Sequence, residues 1–176
     1  REAKLRSTWT DPNSDYEGAC RRYVEHLLTG AEGAGLRGEI GAAAAELAPA
    51  GALNGLAQSL LRMTTPGVPD LYQGAEFWDF SLVDPDNRRP VDFAARRSSL
   101  TQAATPDQLL QSWHDGRIKQ LVISRTLQAR RRFARVFREG RYLPLSVSGA
   151  HSEHLLAFAR ELDGQWLVVL VPRLAV

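Results

Sequence analysis

Thr65-Pro66-Gly67-Val68-Pro69-Asp70-Leu71-Tyr72-Gln73-Gly74-Ala75-Glu76 is the stretch on which the fold turns. Proline cannot continue a helix and glycine tolerates positive φ, so Thr65-Pro66-Gly67 closes the apolar helical pattern before it. The short apolar run Val68–Tyr72 then stops at Gly74 and predicts a short buried strand.

Upstream of this stretch the pattern is helical. Leu53, Leu56, Leu60 and Leu61 mark the helix that the turn closes. An Ala-rich segment, 39–48, predicts a second helix that ends at Pro49. Near the start, Ser14 and Glu17 have the S-x-x-E spacing of a capping box. Tyr16, Cys20, Tyr23, Val24 and Leu27 follow at helical spacing, so 15–28 reads as an amphipathic helix stopped by Gly30.

Downstream, Phe77 to Arg96 shows no period and is crowded with Asp, Arg, Asn and Pro. Loops this long in compact domains tend to be functional. Thr105-Pro106 starts a short helix that reaches about Trp113, and Asp115-Gly116 breaks it. Ile118, Leu121, Val122 and Arg125 open another helix, running to about 131, and Gly140 ends the helical part. Tyr142–Val147, Leu155–Arg160 and Gln165–Val171 then read as strands, with Asp163-Gly164 as a hairpin turn. The texture therefore divides near residue 140: 1–140 is helical with one strand, and 141–176 is antiparallel β. An isolated sheet of so few strands is marginal without a cover. The chain starts without Met and stops just after an apolar strand, which predicts a piece of a longer protein.

Composition bounds the function. Among 176 residues, 44% are hydrophobic and 24% charged, the balance of a globular protein. No apolar run approaches the roughly 18–20 residues of a membrane span. The first residues carry no apolar signal region. A single Cys20 excludes an internal disulfide, which favours a reducing, cytoplasmic setting. The formal net charge of +2 does not by itself call for a polyanion. The basic run from Arg117 to Arg141, with Arg130, Arg131, Arg132, Arg135 and Arg138, fits either a solvated helix face or a nucleic-acid stripe, but few aromatics are interleaved with it in a stacking pattern. No nucleic-acid or membrane partner is expected.

Metal and nucleophile chemistry find little support. Asp84 and Asp86 begin an EF-hand-like pattern, but Arg89 stands where glycine is needed and Ala95 where the bidentate acid belongs. His151 and His154 lack a third ligand nearby. His26 lies on a helix with no visible partner, and His114 reads as a capping or packing residue. No G-x-S-x-G elbow, G-x-G-x-x-G or P-loop occurs. No metal or cofactor is expected.

Two strings carry a family resemblance. Thr65–Glu76 resembles the eighth barrel strand of the α-amylase superfamily, with its Pro-Gly turn and Tyr-x-Gly-x-Glu exit. Asp84-Pro85-Asp86-Asn87-Arg88-Arg89-Pro90-Val91-Asp92-Phe93 is more specific and resembles the maltooligosyl trehalose synthase branch. Ser7-Thr8-Trp9-Thr10-Asp11-Pro12-Asn13, Trp113-His114-Asp115-Gly116-Arg117-Ile118-Lys119 and Ala157-Phe158-Ala159-Arg160 extend the similarity over nearly the whole chain.

The resemblance implies the end of a (β/α)8 barrel with helical insertions over 1–140, and the first strands of a C-terminal β domain over 141–176. It implies an enzyme that turns the reducing-end α-1,4 bond of a maltodextrin into an α,α-1,1 bond by intramolecular transglucosylation. Such chemistry resembles that of a retaining glycosidase, with two carboxyl groups about 5 Å apart and a covalent glucosyl intermediate. The family's nucleophile, general acid and third carboxylate have no match here. The chain is therefore expected to supply pocket wall, to need the earlier part of the barrel as its partner, and to be inactive alone.

Barrel strands point their C-terminal ends at the active site, which makes Tyr72, Gln73 and Glu76 candidates for substrate contact. Trp78 is a candidate stacking platform, or alternatively an anchor for its loop. Asp86, Asn87, Arg88 and Arg89 are candidates for sugar hydroxyls or a neighbouring carboxylate. The other reading has Asp84, Asp86, Arg88 and Arg89 cross-linking the loop internally, with Pro85 and Pro90 stiffening it. Two rival functions remain: a carbohydrate-binding module, and a basic interaction domain using 117–141.

Overall fold

The computed structural model describes residues 1–82, 84 and 86–174. Helices occupy the chain as far as Glu139, and a three-stranded antiparallel sheet follows. The chain divides at Pro49 into two compact units, 1–49 and 50–176.

In the first unit, α1 spans Ser14–Thr29 and bears out the expected helix. Its cap is Asn13, not Ser14: the Asn13 side chain accepts from the Tyr16 amide at 3.0 Å. Glu17 is thereby free of the capping box and turns to Arg1, with two bonds of 2.7 and 2.6 Å, and to the Ser7 hydroxyl. The Arg1 bonds, then Ser7, hold the Glu17 carboxyl at about 2, below its ordinary 4.5. The carbonyls at the end of α1 are also met, because Arg37 donates to Leu27 O at 2.7 Å and Gly30 O at 2.9 Å. His26 does have a partner, the Glu32 carboxylate 3.1 Å away.

Helix α2 runs unbroken over Ala34–Thr64, through Pro49. The two helices expected over 39–48 and 53–61 are thus one. Proline removes a single helical hydrogen bond, and the Ala- and Leu-rich flanks outweigh that loss.

The second unit holds the core. Ala57 of α2, with Leu60 and Leu61, packs on Phe158, Val169 and Val171 of the sheet. The strands are β1 (Arg141–Leu145), β2 (Leu155–Leu162) and β3 (Gln165–Pro172), in the order β1-β2-β3. Asp163 and Gly164 both take positive φ, 51° and 79°, as a tight hairpin with right-handed strand twist requires. The register pairs Phe158 with Val169 and Leu156 with Val171 on the covered face. Trp166, Val168 and Leu170 alternate onto the opposite face and are exposed.

Arg160 fills the centre of the covered face, with only 2% of its surface exposed. It donates to Phe137 O at 3.0 Å, Gly140 O at 2.9 Å and Thr64 O at 3.5 Å. These carbonyls end α6 (Ala134–Glu139) and α2. Arg130, from α5 (Arg117–Arg132), donates to Met63 O at 2.5 Å beside it. Arg160 thus joins the sheet to the ends of α6 and α2, and Arg130 serves the end of α2 from α5.

The expected strand at Val68–Tyr72 does not form. Val68 is 97% exposed, and no neighbouring strand among the described residues pairs with the segment. Pro66 and Pro69 also lack the N–H that a ladder needs. The Asp70 carbonyl instead accepts from the Arg62 guanidinium, whose Nη2 lies 3.1 Å from the Asp70 carboxylate. Nor does the irregular segment run to Arg96. Helix α3 (Phe93–Thr101) begins inside it, because the Asp92 side chain accepts the Ala95 amide at 2.9 Å. The helix at Thr105-Pro106 forms as expected, as α4 (Pro106–Gln111), with Thr105 and Gln108 completing a capping box.

Two outcomes follow from these contacts. Replacing Arg160 with Leu removes the donor from three helix-end carbonyls, and the urea midpoint should fall by the equivalent of about 2–4 kcal/mol, whereas Arg160→Lys should lose less. Because folding lowers the Glu17 pKa, its contribution to the first unit is complete above about pH 4.5 and is lost as pH falls towards about 2. Amide exchange of α1 measured across that window should reveal the loss, and Glu17→Gln should remove the pH dependence.

Candidate functional site

The segment between α2 and α3 forms a polar loop fastened at its base and cross-linked at its tip. At the base, Gly74 turns with φ 86° and is so tightly enclosed that a Cβ would come within 2.8 Å of Val91. Arg96, on the first turns of α3, gathers the strand of chain around it. Its guanidinium donates to Gly74 O at 2.5 Å, to the Glu76 carboxylate at 3.1 Å and to Asp92 O at 3.1 Å, and lies over the Phe77 ring. Gln120 of α5 in turn donates to Arg96 O at 3.0 Å.

Trp78 is the second fastening. Its indole N–H donates to Trp113 O at 2.6 Å, and the two indoles meet edge to face at 6.4 Å. Of the two readings of Trp78, this geometry gives it the anchor's contacts. Gly116 permits the approach: at φ 79° it lies so close that a Cβ would stand 2.8 Å from the Trp78 amide. Lys119 reaches across from α5 to Phe77 O at 3.3 Å and sits over the Trp78 ring. His114 stacks on Trp113, in keeping with a packing role.

At the tip a 3-10 turn, Asp86–Arg88, carries the charged string. Arg88 grips Asp84 with both nitrogens, the Nη2 bond measuring 2.6 Å. Arg89 binds the Asp86 carboxylate, with Nε at 3.1 Å. Asp86 also accepts the Leu82 amide at 2.7 Å. Its carboxyl is held below the ordinary range by Arg89 first and Leu82 second. Asp79 is held low as well, chiefly by the Ser81 amide. The cross-linking reading thus describes the internal contacts of Asp84, Asp86, Arg88 and Arg89. The stiffening role assigned to Pro85 lies outside the described residues.

Between base and tip lies a depression of about 200 Å³ lined by Gln73, Asp79, Ser81, Asp86, Asn87 and Arg89, among others. Asn87 is one of its lining residues, and the Asn87 Oδ1 is buried with no hydrogen-bond partner among the described residues. Gln73, Asp86, Asn87 and Arg89 of the expected set therefore meet at one place. Arg88 is turned to Asp84, Glu76 to Arg96, and Tyr72 is exposed at the start of the loop. Sequence reasoning missed Arg96 and Lys119 as organisers. Asp92 four residues before Arg96 was a usable helix-start signal, whereas nothing local marks Lys119. No group of three or more potential metal ligands occurs among the described residues, and His151 and His154 stand with ring centres 6.2 Å apart. No described helix is long and apolar enough to cross a membrane.

Gly116→Ala should force both the positive φ and the close approach to Trp78 to yield. A loss of about 1–3 kcal/mol is expected. It should appear as a lower thermal midpoint together with altered near-ultraviolet dichroism from the Trp78–Trp113 pair.

No family model matches the chain. A curated relative, described as a putative maltooligosyl trehalose synthase from Mycobacterium tuberculosis, is 36% identical over 98% of this chain and 20% of its own length. The solved maltooligosyltrehalose synthase of Arthrobacter ramosus is 38% identical, with a TM-score of 0.78 over 99% of this chain and 22% of that one. A structure from Sulfolobus tokodaii, described as a hypothetical maltooligosyl trehalose synthase, is 29% identical, with a TM-score of 0.79 over 98% of this chain and 22% of that one. The chain spans about one fifth of the length of these relatives. It is homologous, from one end to the other, to a segment of the maltooligosyl trehalose synthases.

Proposed function

We propose that this chain serves in an enzyme that rearranges the reducing end of maltodextrins into a trehalose unit, and that its 72–92 loop forms part of the wall of the sugar pocket. The reading extends to the chain the activity in its relatives' names. In that reading residues 1–140 are the late part of the catalytic barrel and 141–176 the start of the C-terminal β domain. The chemical step breaks the terminal α-1,4 bond, and the freed glucose then attacks through its anomeric hydroxyl where a hydrolase would admit water. The carboxylates for that step lie on other parts of the enzyme, so this chain binds and orients but does not itself catalyse.

One observation carries the proposal. The depression beside the charged string is more polar than apolar, and Asn87, which lines it, has a buried Oδ1 without a donor among the described residues. A buried acceptor without a partner costs free energy, and a sugar hydroxyl offers the missing donor. Gln73, Asp86 and Arg89 flank it with an amide, a carboxylate and a guanidinium, the groups that pair with hydroxyls. Arg88 and Asp84 form the outer cross-link, and Tyr72 and Glu76 lead into the loop. Trp78 acts here as the anchor of the wall.

The test is kinetic and uses the full-length enzyme. Arg88→Ala and Arg89→Ala should lower kcat/KM for trehalose formation from maltopentaose roughly ten- to a hundredfold, as loss of a charged hydrogen bond would. The melting temperature should move little, because the pairs they break are exposed. Unchanged kinetics in both variants would overturn a pocket role for this loop. This chain alone should leave the reducing ends of maltopentaose intact.

A further inference from the structure

The charges behind the depression form a line that begins outside the loop. Lys119, on the first turn of α5, is half-buried and donates to Phe77 O at 3.3 Å. Its ammonium lies 5.7 Å from the centre of the Trp78 ring. Burial lowers its pKa, while the Asp79 and Glu76 carboxylates oppose that fall. Asp79 lines the depression and feels both Lys119 and Arg89. Arg89 is bonded to Asp86 and feels Asp79 as well. Lysine, aspartate, arginine and aspartate thus alternate in sign from the helix to the tip of the loop.

This alternation decides where Arg89 can spend its charge. With Lys119 present, Asp79 has a second cation beside Arg89, and the hydrogen bonds of Arg89 go to Asp86. Without that ammonium, of the two cations that act on Asp79 only Arg89 remains. Coulomb attraction would then draw the guanidinium to Asp79 and tie it into a second ion pair on the wall of the depression. The Phe77 carbonyl would lose its donor at the same time, loosening the limb that leads from Trp78 to the tip. Half-buried, Lys119 is screened by water less than the exposed pairs of the tip are.

We propose that Lys119 is a positioning residue for the sugar-binding loop: it fixes the Phe77–Asp79 limb and supplies the counter-charge that leaves Arg89 available to substrate. The inference rests on the pocket reading of the loop. It concerns a residue of α5 that does not line the depression, and it acts through Asp79 and Arg89.

The experiment compares Lys119→Met and Lys119→Arg with the parent residue in the full-length enzyme. Two readouts are taken. The first is the rate of tryptic cleavage after Arg88, followed by mass spectrometry. It reports opening of the loop and needs no activity. The second is the separation of KM from kcat for maltopentaose. Lys119→Met should speed cleavage after Arg88 about tenfold, as a local opening favoured by ~1.4 kcal/mol would. It should raise KM several-fold with kcat nearly constant, and Lys119→Arg should restore most of both. Lys119→Gln serves if the methionine variant fails to fold. Unchanged cleavage after Arg88 would overturn the proposal. So would faster cleavage with KM unchanged, since the residue would then fix the loop without serving binding. Failure of the pocket reading itself shows separately, as unaltered kinetics in Arg88→Ala and Arg89→Ala.

Discussion

A buried guanidinium without a carboxylate holds the second unit together. Arg160 lies on the central strand, 2% exposed, and finds carbonyl oxygens at the ends of two helices. Those ends carry unpaired carbonyls and the negative pole of the helix dipole, so a cation is the natural partner. Burial first, and then the charge of Arg130, push the Arg160 pKa down. A guanidinium starts so high that it remains charged. Its Nε is buried without a partner, so the site satisfies the ion incompletely and relies on the carbonyls for its stability. The end of α2, the end of α6 and the sheet are therefore fixed by one side chain and its neighbour Arg130.

The candidate site inherits its rigidity from that frame at one remove. Arg130 sits on α5, and the earlier turns of the same helix carry Lys119 and Gln120 to the polar loop. The loop has few apolar contacts of its own. Its order comes from a few polar fastenings: Arg96 on Gly74 and Glu76, Trp78 on Trp113, and the two arginine–aspartate pairs at the tip. Exposed pairs of that kind contribute little stability each, but they set geometry. A loop built this way spends Asp84 and Asp86 on its own arginines and, among the described residues, leaves an amide oxygen, Asn87 Oδ1, buried without a donor.

Much of this was legible before any coordinates. Local chemistry alone located α1, the Thr105 cap, the break at Gly116 and the Asp163-Gly164 hairpin, because each depends on residues a few positions apart. The irregular, charged character of the Asp84–Pro90 string was likewise recognisable. Three elements were misread for physical reasons. Pro49 looked like a helix end, yet a helix with good flanks survives the loss of one hydrogen bond. Ser14 looked like a cap, yet Asn13 takes that role and Glu17 is used by Arg1. Val68–Tyr72 looked like a strand, yet a strand exists only through neighbours that hydrogen-bond to it.

The sequence by itself determined the order of elements, the polar character of the 72–92 loop and the residues available for its internal pairs. Those properties arise from backbone preference, periodicity and charge at short range. Only the tertiary structure decided that Arg160 is buried among helix ends, that Trp78 gives its N–H to Trp113, and that Lys119 stands behind Asp79. Each of these joins residues tens of positions apart, and no local rule selects one distant carbonyl or carboxylate over another. Packing selects it, by deciding which distant groups come within reach.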